Sequence, residues 1–276
     1  MTRAIFIDGD IEIFQVAAVH QTDFKFDTEE DVVPMTLNTE ARLALKKRIA
    51  DLAAELKADG VYICLTDRDH QNFRKDIYPD YKANRSKLVK PVLIRELEHY
   101  LMDTCSTLIL PGLEADDVMG IYATDNRLLP AYDERIIVSA DKDLNTVPGL
   151  HYNPNKPELG VYNVSQEEAD RFFMTQTITG DSTDNYPGCP NAGPKAAEKA
   201  LDAAGGSLEE MWLAVVELFE SAKEKGTKKP LNLTADDALV MARLARILRK
   251  GEFHKDRPVL WEPPVARNNV LGETTS

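Results

Sequence analysis

Four short groups of acids stand out among the 46 Asp and Glu residues of this 276-residue sequence. Together with Asp67, these groups supply the following candidate metal ligands: Asp8, Asp67, Glu114, Asp116, Asp117, Asp141, Asp143, Asp181 and Asp184. Carboxylate oxygens are the ligands that hard cations such as Mg²⁺ and Mn²⁺ prefer, whereas zinc favours nitrogen and sulfur. Because so many acids exceed what one ion needs, the pattern indicates two metal ions, an arrangement suited to displacement at a phosphodiester.

Short apolar runs precede four of these acids and predict the strands that position them. The runs are Arg3–Ile7, Val61–Thr66, Thr107–Leu110 and Ile136–Ala140, and the acids that follow them are Asp8, Asp67, Glu114 and Asp141. Runs without polar alternation are typical of strands buried on both faces of a parallel sheet. Helical periodicity lies between them, over residues 45–56 and after Pro91. Since ligands bind beyond the carboxyl ends of parallel strands, we expect the four acids to gather at one edge.

A single acid at a strand end is most often a helix N-cap or a solvated loop residue. That explanation fails for the whole set, because converging carboxylates repel each other and few cations lie beside them in the sequence. Metal ions shared by the set would offset this repulsion. Asp10 is an additional acid, which we expect either to contact the metal ligands without binding the metal itself or to cap the following helix.

Residues 72–90 have the opposite charge pattern. From Arg74 to Lys90 the sequence has six Lys and Arg residues against two Asp residues. A solvated charged loop would have such a composition, but Phe73, Tyr78 and Tyr81 are interleaved with the cations. Aromatic rings stack on bases while cations contact phosphates, so this basic segment is predicted to bind nucleic acid. Its candidate contact residues are Arg74, Tyr81, Lys82, Arg85 and Lys87.

The sequence from Gly188 to Lys195 combines a tight turn with a helix start. Gly188 and Gly193 flank the turn, and the predicted helix begins beside Lys195. This pattern is typical of a helix-hairpin-helix turn, in which backbone N–H groups at a helix start hold a DNA phosphate. A Gly/Pro-rich loop between two helices has a similar sequence, but Asp181 and Asp184 directly upstream favour the DNA-binding interpretation.

The composition excludes several classes of protein. Hydrophobic residues make up 43% of the chain, which is ample for a core and excludes a wholly disordered protein. The formal net charge of −13 confines DNA binding to a local surface. Three cysteines without CxxC or Cys/His spacing argue against a zinc site or a disulfide framework. Without a signal peptide or an apolar run of about 18 residues, the sequence predicts a soluble cytoplasmic protein with no membrane partner.

Several motifs follow one another in a characteristic order between Ile5 and Trp261. They are Ile-Asp8-Gly, Thr-Asp67, Phe-Arg74, Tyr81-Lys-Ala-Asn-Arg85, Leu-Glu114-Ala-Asp-Asp117, Ser-Ala-Asp141-Lys-Asp143, Gly-Asp181-Ser-Thr-Asp184 and Gly193-Pro-Lys195. The series resembles the flap endonuclease, or 5′-nuclease, family, which includes the 5′→3′ exonuclease domain of bacterial DNA polymerase I. Residues 81–85 and 241–248 look most like those of the stand-alone 5′→3′ exonucleases of short-tailed bacteriophages.

The resemblance implies an α/β fold with two domains and a set of metal ligands. A PIN-like parallel-sheet nuclease domain would span residues 1–178, an all-helical helix-hairpin-helix DNA-binding domain 179–262, and a flexible tail 263–276. The first of two Mg²⁺ ions, for which Mn²⁺ could substitute, would be surrounded by Asp8, Asp67, Glu114, Asp116 and Asp117. The second would be held by Asp141, Asp143, Asp181 and Asp184.

The resemblance also implies roles for the basic residues. Lys82 and Arg85 match a pair that contacts the scissile phosphate and steadies developing charge. With Asp8, Asp117 and Asp141 they make up the candidate catalytic set. Further implied roles are stacking of the terminal base on Tyr81, duplex binding by Lys195, and a monovalent cation at the hairpin turn.

Two positions depart from the family pattern. Asn191 replaces the usual second glycine of the hairpin core, and because Asn tolerates left-handed backbone, the turn is expected to survive. Gln176 stands where some relatives have a lysine, which would remove one phosphate contact.

The implied activity is metal-dependent hydrolysis of phosphodiester bonds near the 5′ ends of duplex or flapped DNA, with RNA–DNA hybrids as a further substrate. It would serve phage DNA replication, primer removal, recombination or host DNA breakdown in an infected bacterium. One alternative is a haloacid-dehalogenase-type phosphatase, suggested by Ile7-Asp8-Gly-Asp10 and residues 180–184, but it leaves Glu114–Asp117 and the basic segment without a role. The other alternative is a non-catalytic DNA end-binding protein, and the retention of every acid speaks against it.

Overall fold

The structure, a computed structural model, describes residues 1–25, 32–87 and 90–264. Contacts within the chain divide it into two compact units. The first comprises residues 1–70, 88–144 and 149–163, and the second comprises residues 71–87, 145–148 and the chain from Val164 onward. Most of the predicted tail, from residue 265 to 276, lies outside the described residues.

Parallel strands form the centre of the first unit. In chain order the strands are β1 (Arg3–Asp8), β2 (Gln21–Lys25), β3 (Val32–Thr36), β4 (Gly60–Cys64), β5 (Thr107–Leu108), β6 (Glu134–Val138), β7 (Gly149–Tyr152) and β8 (Tyr162–Val164). The main sheet has the order β5-β4-β1-β6-β7-β8, while β2 and β3 form a separate antiparallel hairpin. The pairings β1–β4, β1–β6, β4–β5 and β6–β7 are all parallel. The predicted parallel-sheet α/β fold is therefore confirmed.

The described chain also contains nine α-helices. They are α1 (Gly9–Val19), α2 (Asn38–Glu55), α3 (Arg74–Ile77), α4 (Leu93–Thr104), α5 (Ala115–Thr124), α6 (Gln166–Thr179), α7 (Pro194–Ala204), α8 (Leu208–Glu220) and α9 (Ala235–Ala245). Short 3₁₀ helices lie at Ala83–Lys87, Lys142–Thr146 and Pro157–Leu159, and β9 (Phe253–His254) pairs with β10 (Arg257–Pro258). No helix in these ranges combines the length and the apolar character that crossing a lipid bilayer requires.

The apolar strand runs form the core of the first unit. Ile5, Ile7 and Ile63 are fully buried and pack with the inward faces of α2 and α4, such as Leu45 and Leu97. A central strand that is apolar on both faces must be covered by helices on both sides of the sheet, which is the arrangement that alternating strands and helices produce. The polar residues that end the strands therefore emerge from the core at the carboxyl edge of the sheet.

The second unit has a helical core with aromatic residues at its centre. Trp261 packs edge-on against Phe173 and Trp212, with ring centroids 5.2 Å apart in both pairs. The helices begin at polar caps; for example, the Ser165 hydroxyl accepts a hydrogen bond from the Glu168 N–H at the start of α6 (3.2 Å). Helical periodicity over residues 164–177, 195–203 and 207–222 predicts three helices in this region, and α6, α7 and α8 correspond to them.

The limits of several predicted elements differ from the structure. The strands predicted over Val61–Thr66 and Thr107–Leu110 end at Cys64 and Leu108. Apolar periodicity over residues 234–250 predicts one helix, but the helix ends at Ala245, because Arg246 adopts an extended backbone conformation (ψ 113°). The contacts group α6 and residues 72–87 of the basic segment with the second unit, so the division at residues 163–164 precedes the predicted domain limit at 178–179. The domain limits as functional units stay a prediction.

Candidate active site

Asp8 occupies the carboxyl end of β1 and caps α1. It is only 7% exposed, and its carboxylate accepts hydrogen bonds from the Ile11 N–H (3.1 Å) and the Ser139 hydroxyl (2.9 Å). In the described ranges no Lys or Arg side chain forms an ion pair with it. A buried carboxylate that is held by neutral donors alone lacks charge compensation, which is costly in a low-dielectric environment.

The pKa of Asp8 reflects this environment. Burial, together with the nearby charges of Asp10 and Asp141, raises the pKa of its carboxyl to about 7, although the hydrogen bonds from Ile11 and Ser139 act to lower it. Each pKa unit corresponds to about 1.4 kcal/mol of differential interaction. The ionised form is therefore less favoured than in an ordinary aspartate, and a bound cation would favour it, which is the electrostatic property expected of a metal ligand.

Asp67 follows β4 and is tied to the loop that leads into α5. Its carboxylate accepts hydrogen bonds from the N–H groups of Gly112 (2.7 Å) and Asp69 (2.9 Å), and it pairs with the His70 ring (2.6 Å). Burial acts to raise the pKa of Asp67, but these hydrogen bonds outweigh burial and lower it. Asp67 is therefore held in one orientation as a carboxylate.

Three acids lie together at the start of α5. Glu114 is the N-cap, Asp117 is fully buried with its carboxylate 3.4 Å from the Glu114 backbone nitrogen, and Asp116 accepts a hydrogen bond from the Asp117 N–H (2.7 Å). One carboxylate oxygen from each residue lies within 4.8 Å of the others. Part of this geometry is capping, but a group of oxygen ligands at this spacing also suits a hard divalent cation.

Asp141 follows β6 and shares a partner with Asp8. The Ser139 hydroxyl accepts a hydrogen bond from the Asp141 N–H (3.0 Å) and donates to Asp8. Asp143, in the next 3₁₀ helix, donates its N–H to the Asp141 carboxylate (2.9 Å). Ser139 was not predicted as a site residue, although its position two residues before an acid is a spacing typical of hydroxyl-stabilised turns.

Asp10 has a cationic partner. The Arg68 guanidinium lies 3.5 Å from Asp10 and donates to both oxygens of buried Glu98 on α4 (2.8 and 2.7 Å). Because Asp8 is the N-cap of α1, the predicted capping alternative for Asp10 is wrong. Asp10 instead stands beside Asp8 as a partly compensated acid that raises its neighbour's pKa.

The turn between α6 and α7 contains the second unit's predicted acids. Asp181 caps its own turn by accepting hydrogen bonds from the N–H groups of Thr183 (2.6 Å) and Asp184 (3.3 Å). Gly180 and Gly188 have φ values of 66° and 64°, and a Cβ on Gly188 would lie 2.3 Å from the Gly180 nitrogen. Glycine is therefore required where these two backbone segments meet.

The other hairpin residues have positions that agree with the predicted turn. Asn191 adopts left-handed backbone (φ 64°), as its replacement of glycine requires, and its side chain donates to the Lys223 carbonyl (2.9 Å). Gly193 is the N-cap of α7, and Lys195 is exposed in its first turn. By contrast Gln176 is buried within α6.

The basic segment packs against the same turn of the second unit. Arg85 donates to the Asp184 carboxylate (2.5 Å), and the Lys82 ammonium lies 3.5 Å from it. The Tyr81 hydroxyl also donates to Asp184 (2.9 Å), and its ring is only 2% exposed. Stacking of a base on this ring, as the resemblance implied, would require the ring to leave the helical core, so the arrangement does not support that role.

Arg74 has a structural role, and the prediction that it contacts DNA is wrong for this arrangement. It is 1% exposed and donates to the carbonyls of Leu244 (3.0 Å) and Arg246 (2.6 Å) at the end of α9. Its guanidinium also lies 4.6 Å from the centre of the Phe73 ring. The side chain of Lys87 lies outside the described residues.

Comparisons with known proteins agree with these observations. Residues 3–167 match the family described as 5′-3′ exonuclease, N-terminal resolvase-like domain. An exodeoxyribonuclease of Enterobacteria phage T3 is 30% identical over 93% of this chain and 92% of its own length. Flap endonuclease Xni of Shewanella oneidensis is 29% identical over 65% of this chain and 67% of its own length. The phage T5 5′-exonuclease, solved with bound divalent zinc ions, has a similar fold, with a TM-score of 0.59, 19% identity and coverage of 88% of this chain and 89% of that chain.

Proposed function

Because the chain belongs to the 5′-3′ exonuclease family and is a nuclease, we propose that it hydrolyses phosphodiesters near the 5′ ends of duplex or flapped DNA with divalent metal ions. The observation that supports this most strongly is the uncompensated, buried Asp8 at the carboxyl end of the sheet. An RNA strand in an RNA–DNA hybrid is a further proposed substrate. The cytoplasm of a phage-infected bacterium, during DNA replication, primer removal, recombination or host DNA breakdown, is the proposed setting.

Two Mg²⁺ ions, replaceable by Mn²⁺, are the proposed cofactors. The first would be held by Asp8, Asp67, Glu114, Asp116 and Asp117, and the second by Asp141, Asp143 and Asp181. Asp184, the fourth residue predicted for the second ion, pairs with Lys82 and Arg85. The oxygen-only donor set and the spacing of the acids at α5 support this assignment. When bound, such ions lower the pKa of water and stabilise negative charge on phosphate oxygens.

The chain's own residues would orient the substrate. Lys82 and Arg85 would contact the scissile phosphate, and Lys87 belongs to the same basic segment. Lys195 and the N–H groups at the start of α7 would bind a duplex phosphate beside the turn formed by Gly188 and Gly193. A monovalent cation at the carbonyls of this turn is part of the same proposal.

The two alternatives have less support. A haloacid-dehalogenase-type phosphatase would use Asp8 as a nucleophile, but it gives no role to the acids of α5 or to the basic segment. A non-catalytic DNA end-binding protein would have no need for a buried acid with a raised pKa. The family match favours neither.

Cleavage of end-labelled DNA tests the proposal. Duplex and flap substrates labelled at the 5′ or 3′ end are incubated with the wild-type protein, with and without Mg²⁺. We expect nucleotides to be released from the 5′ end only when Mg²⁺ is present. In Asp117→Asn, a shape-conserving change that removes one charge, we expect the cleavage rate to fall at least a hundredfold. Asp51→Asn, which alters an exposed acid paired with Lys47, is the matched control. Normal cleavage by Asp117→Asn, or phosphate release from a small monoester without DNA cleavage, would contradict the assignment.

A further inference from the structure

Residues 80–85 are joined to residues 182–185 by hydrogen bonds at several points, and we call these two segments the clasp. The Lys82 N–H donates to the Asp184 carbonyl (2.8 Å). The Asn185 side chain donates to the Asp80 carbonyl (2.7 Å), and the Asn84 side chain donates to the Ser182 carbonyl (2.9 Å). Because the bonds come from both segments and involve both backbone and side chains, the clasp fixes the backbone of the basic segment.

The carboxylate of Asp184 is the central group of the clasp. Its Oδ1 accepts a hydrogen bond from Arg85 (2.5 Å), and its Oδ2 accepts one from the Tyr81 hydroxyl (2.9 Å) and lies 3.5 Å from the Lys82 ammonium. The Arg85 side chain donates in addition to the Thr183 carbonyl (3.2 Å). Both oxygens therefore have charged or hydroxyl donors at short range.

This arrangement disagrees with the predicted role of Asp184 as a ligand of the second metal ion. Two cations already compensate the charge of the Asp184 carboxylate, whereas Asp8 has only neutral donors, so Asp184 has less charge to offer a metal ion than Asp8 has. We propose that Asp184 is a positioning residue, which orients Lys82 and Arg85 and does not bind a metal ion. This proposal rests on the proposed function, because the group that Lys82 and Arg85 would contact is the phosphodiester of the DNA substrate.

The backbone of Lys82 supports the same role. Its φ of 56° is a left-handed conformation that non-glycine residues seldom adopt. Such conformations persist where surrounding contacts determine them, and they are frequent at functional sites. The Lys82 N–H bond to Asp184 and the adjacent Tyr81 hydroxyl bond are contacts of this kind.

Tyr81 provides a variant that separates positioning from base stacking. Tyr81→Phe keeps the buried ring, so it preserves the packing and any capacity to stack, and it removes only the hydroxyl that donates to Asp184. Asp184→Asn removes the charge and keeps the shape. The matched controls are Asp80→Asn, whose carboxylate accepts no hydrogen bond in the described ranges, and Tyr78→Phe, whose hydroxyl makes none there.

The experiment combines hydrogen exchange of the full chain with Mn²⁺ binding by titration calorimetry. In metal-free protein we expect the amides of residues 80–85 to exchange about tenfold faster in Asp184→Asn and in Tyr81→Phe than in wild type and the two controls, because a bond of the clasp is lost. Mn²⁺ affinity and stoichiometry are expected to be unchanged in both variants. DNA turnover is expected to fall in both, without rescue by higher Mg²⁺ concentrations.

Two results would overturn the proposal. One is a loss of Mn²⁺ affinity or stoichiometry in Asp184→Asn with rescue of turnover by excess Mg²⁺, which would make Asp184 a metal ligand. The other is wild-type exchange and turnover in Tyr81→Phe, which would remove the positioning role. Failure of the proposed function is distinguishable, because it would appear as absent DNA cleavage in the wild-type protein.

Discussion

The raised pKa of Asp8 makes the stability of the metal-free protein depend on pH in a direction opposite to that of most carboxylates. In the fold the carboxyl has a pKa of about 7, compared with 3.8 for an ordinary aspartate. At pH values between these two pKa values, the folded protein therefore keeps the Asp8 carboxyl protonated, whereas the unfolded chain releases the proton. Since stability falls with pH wherever the folded state binds more protons, this contribution is fully present below about pH 4 and is lost as pH rises through about 7.

The magnitude follows from the size of the shift. About three pKa units at about 1.4 kcal/mol each amount to roughly 4 kcal/mol between the two limits. Asp8→Asn keeps the shape and cannot ionise, so its stability should lack this dependence. Because the pH range from 5 to 7 covers about two of these three pH units, we expect the variant to gain about 2.5 kcal/mol of stability relative to wild type between pH 5 and pH 8 when metal is removed by a chelator.

Urea unfolding of both proteins at a series of pH values, with EDTA, measures this difference. Asp51→Asn, which changes an exposed acid, should follow the wild-type curve. Divalent metal should restore the free energy of unfolding of the wild-type protein at pH 8, because binding to the folded state stabilises it by mass action. The metal should have little effect on the stability of Asp8→Asn. A stability difference that stays constant from pH 5 to pH 8 would refute the assignment of an uncompensated buried charge to Asp8.

Three further variants test the other structural interpretations. Ser139→Ala should weaken Mn²⁺ binding about tenfold in calorimetry, because Asp8 loses a donor, while Ser139→Thr should retain affinity; equal affinity of all three would count against the role of the hydroxyl. Arg74→Ala should lower the free energy of unfolding by about 3 kcal/mol, since two carbonyls lose their donor, whereas a DNA-contact residue would leave urea unfolding unchanged. Lys195→Ala should reduce the slope of log affinity against log salt by about one, and an unaltered slope in a binding titration would remove its phosphate contact.

The positions of the main acids could be predicted because they depend on local sequence. Asp8, Asp67, Glu114 and Asp141 each follow an apolar run, and a parallel sheet brings the ends of such runs to one edge. The turn at Gly188 was equally local, because the backbone itself requires glycine there. These features need no knowledge of which distant residues meet.

The roles of individual side chains could not be predicted in the same way. Arg74 and Arg85 have similar sequence surroundings, yet one is buried against carbonyls about 170 residues away and the other meets Asp184. Tyr81 looked like a stacking residue because it lies among cations, but its ring is part of the helical core. Such outcomes depend on tertiary packing, which overrides what neighbouring residues suggest.

Buried carboxylates in this protein are of two kinds, which the charge of their partners distinguishes. Asp170 is as buried as Asp8, but its carboxylate faces the Arg249 guanidinium (2.9 Å), and Glu12 likewise faces Arg48 (2.5 Å). Removing Asp170 would leave the Arg249 guanidinium buried without its carboxylate, and removing Arg48 would leave Glu12 buried without its cation, so both pairs stabilise the fold. Asp8 has a hydroxyl and an amide instead, so its own ionisation destabilises the fold unless a cation arrives. The partner's charge therefore distinguishes Asp8 from Asp170 and Glu12, although all three are buried, and Asp184 resembles the paired acids because it faces Lys82 and Arg85.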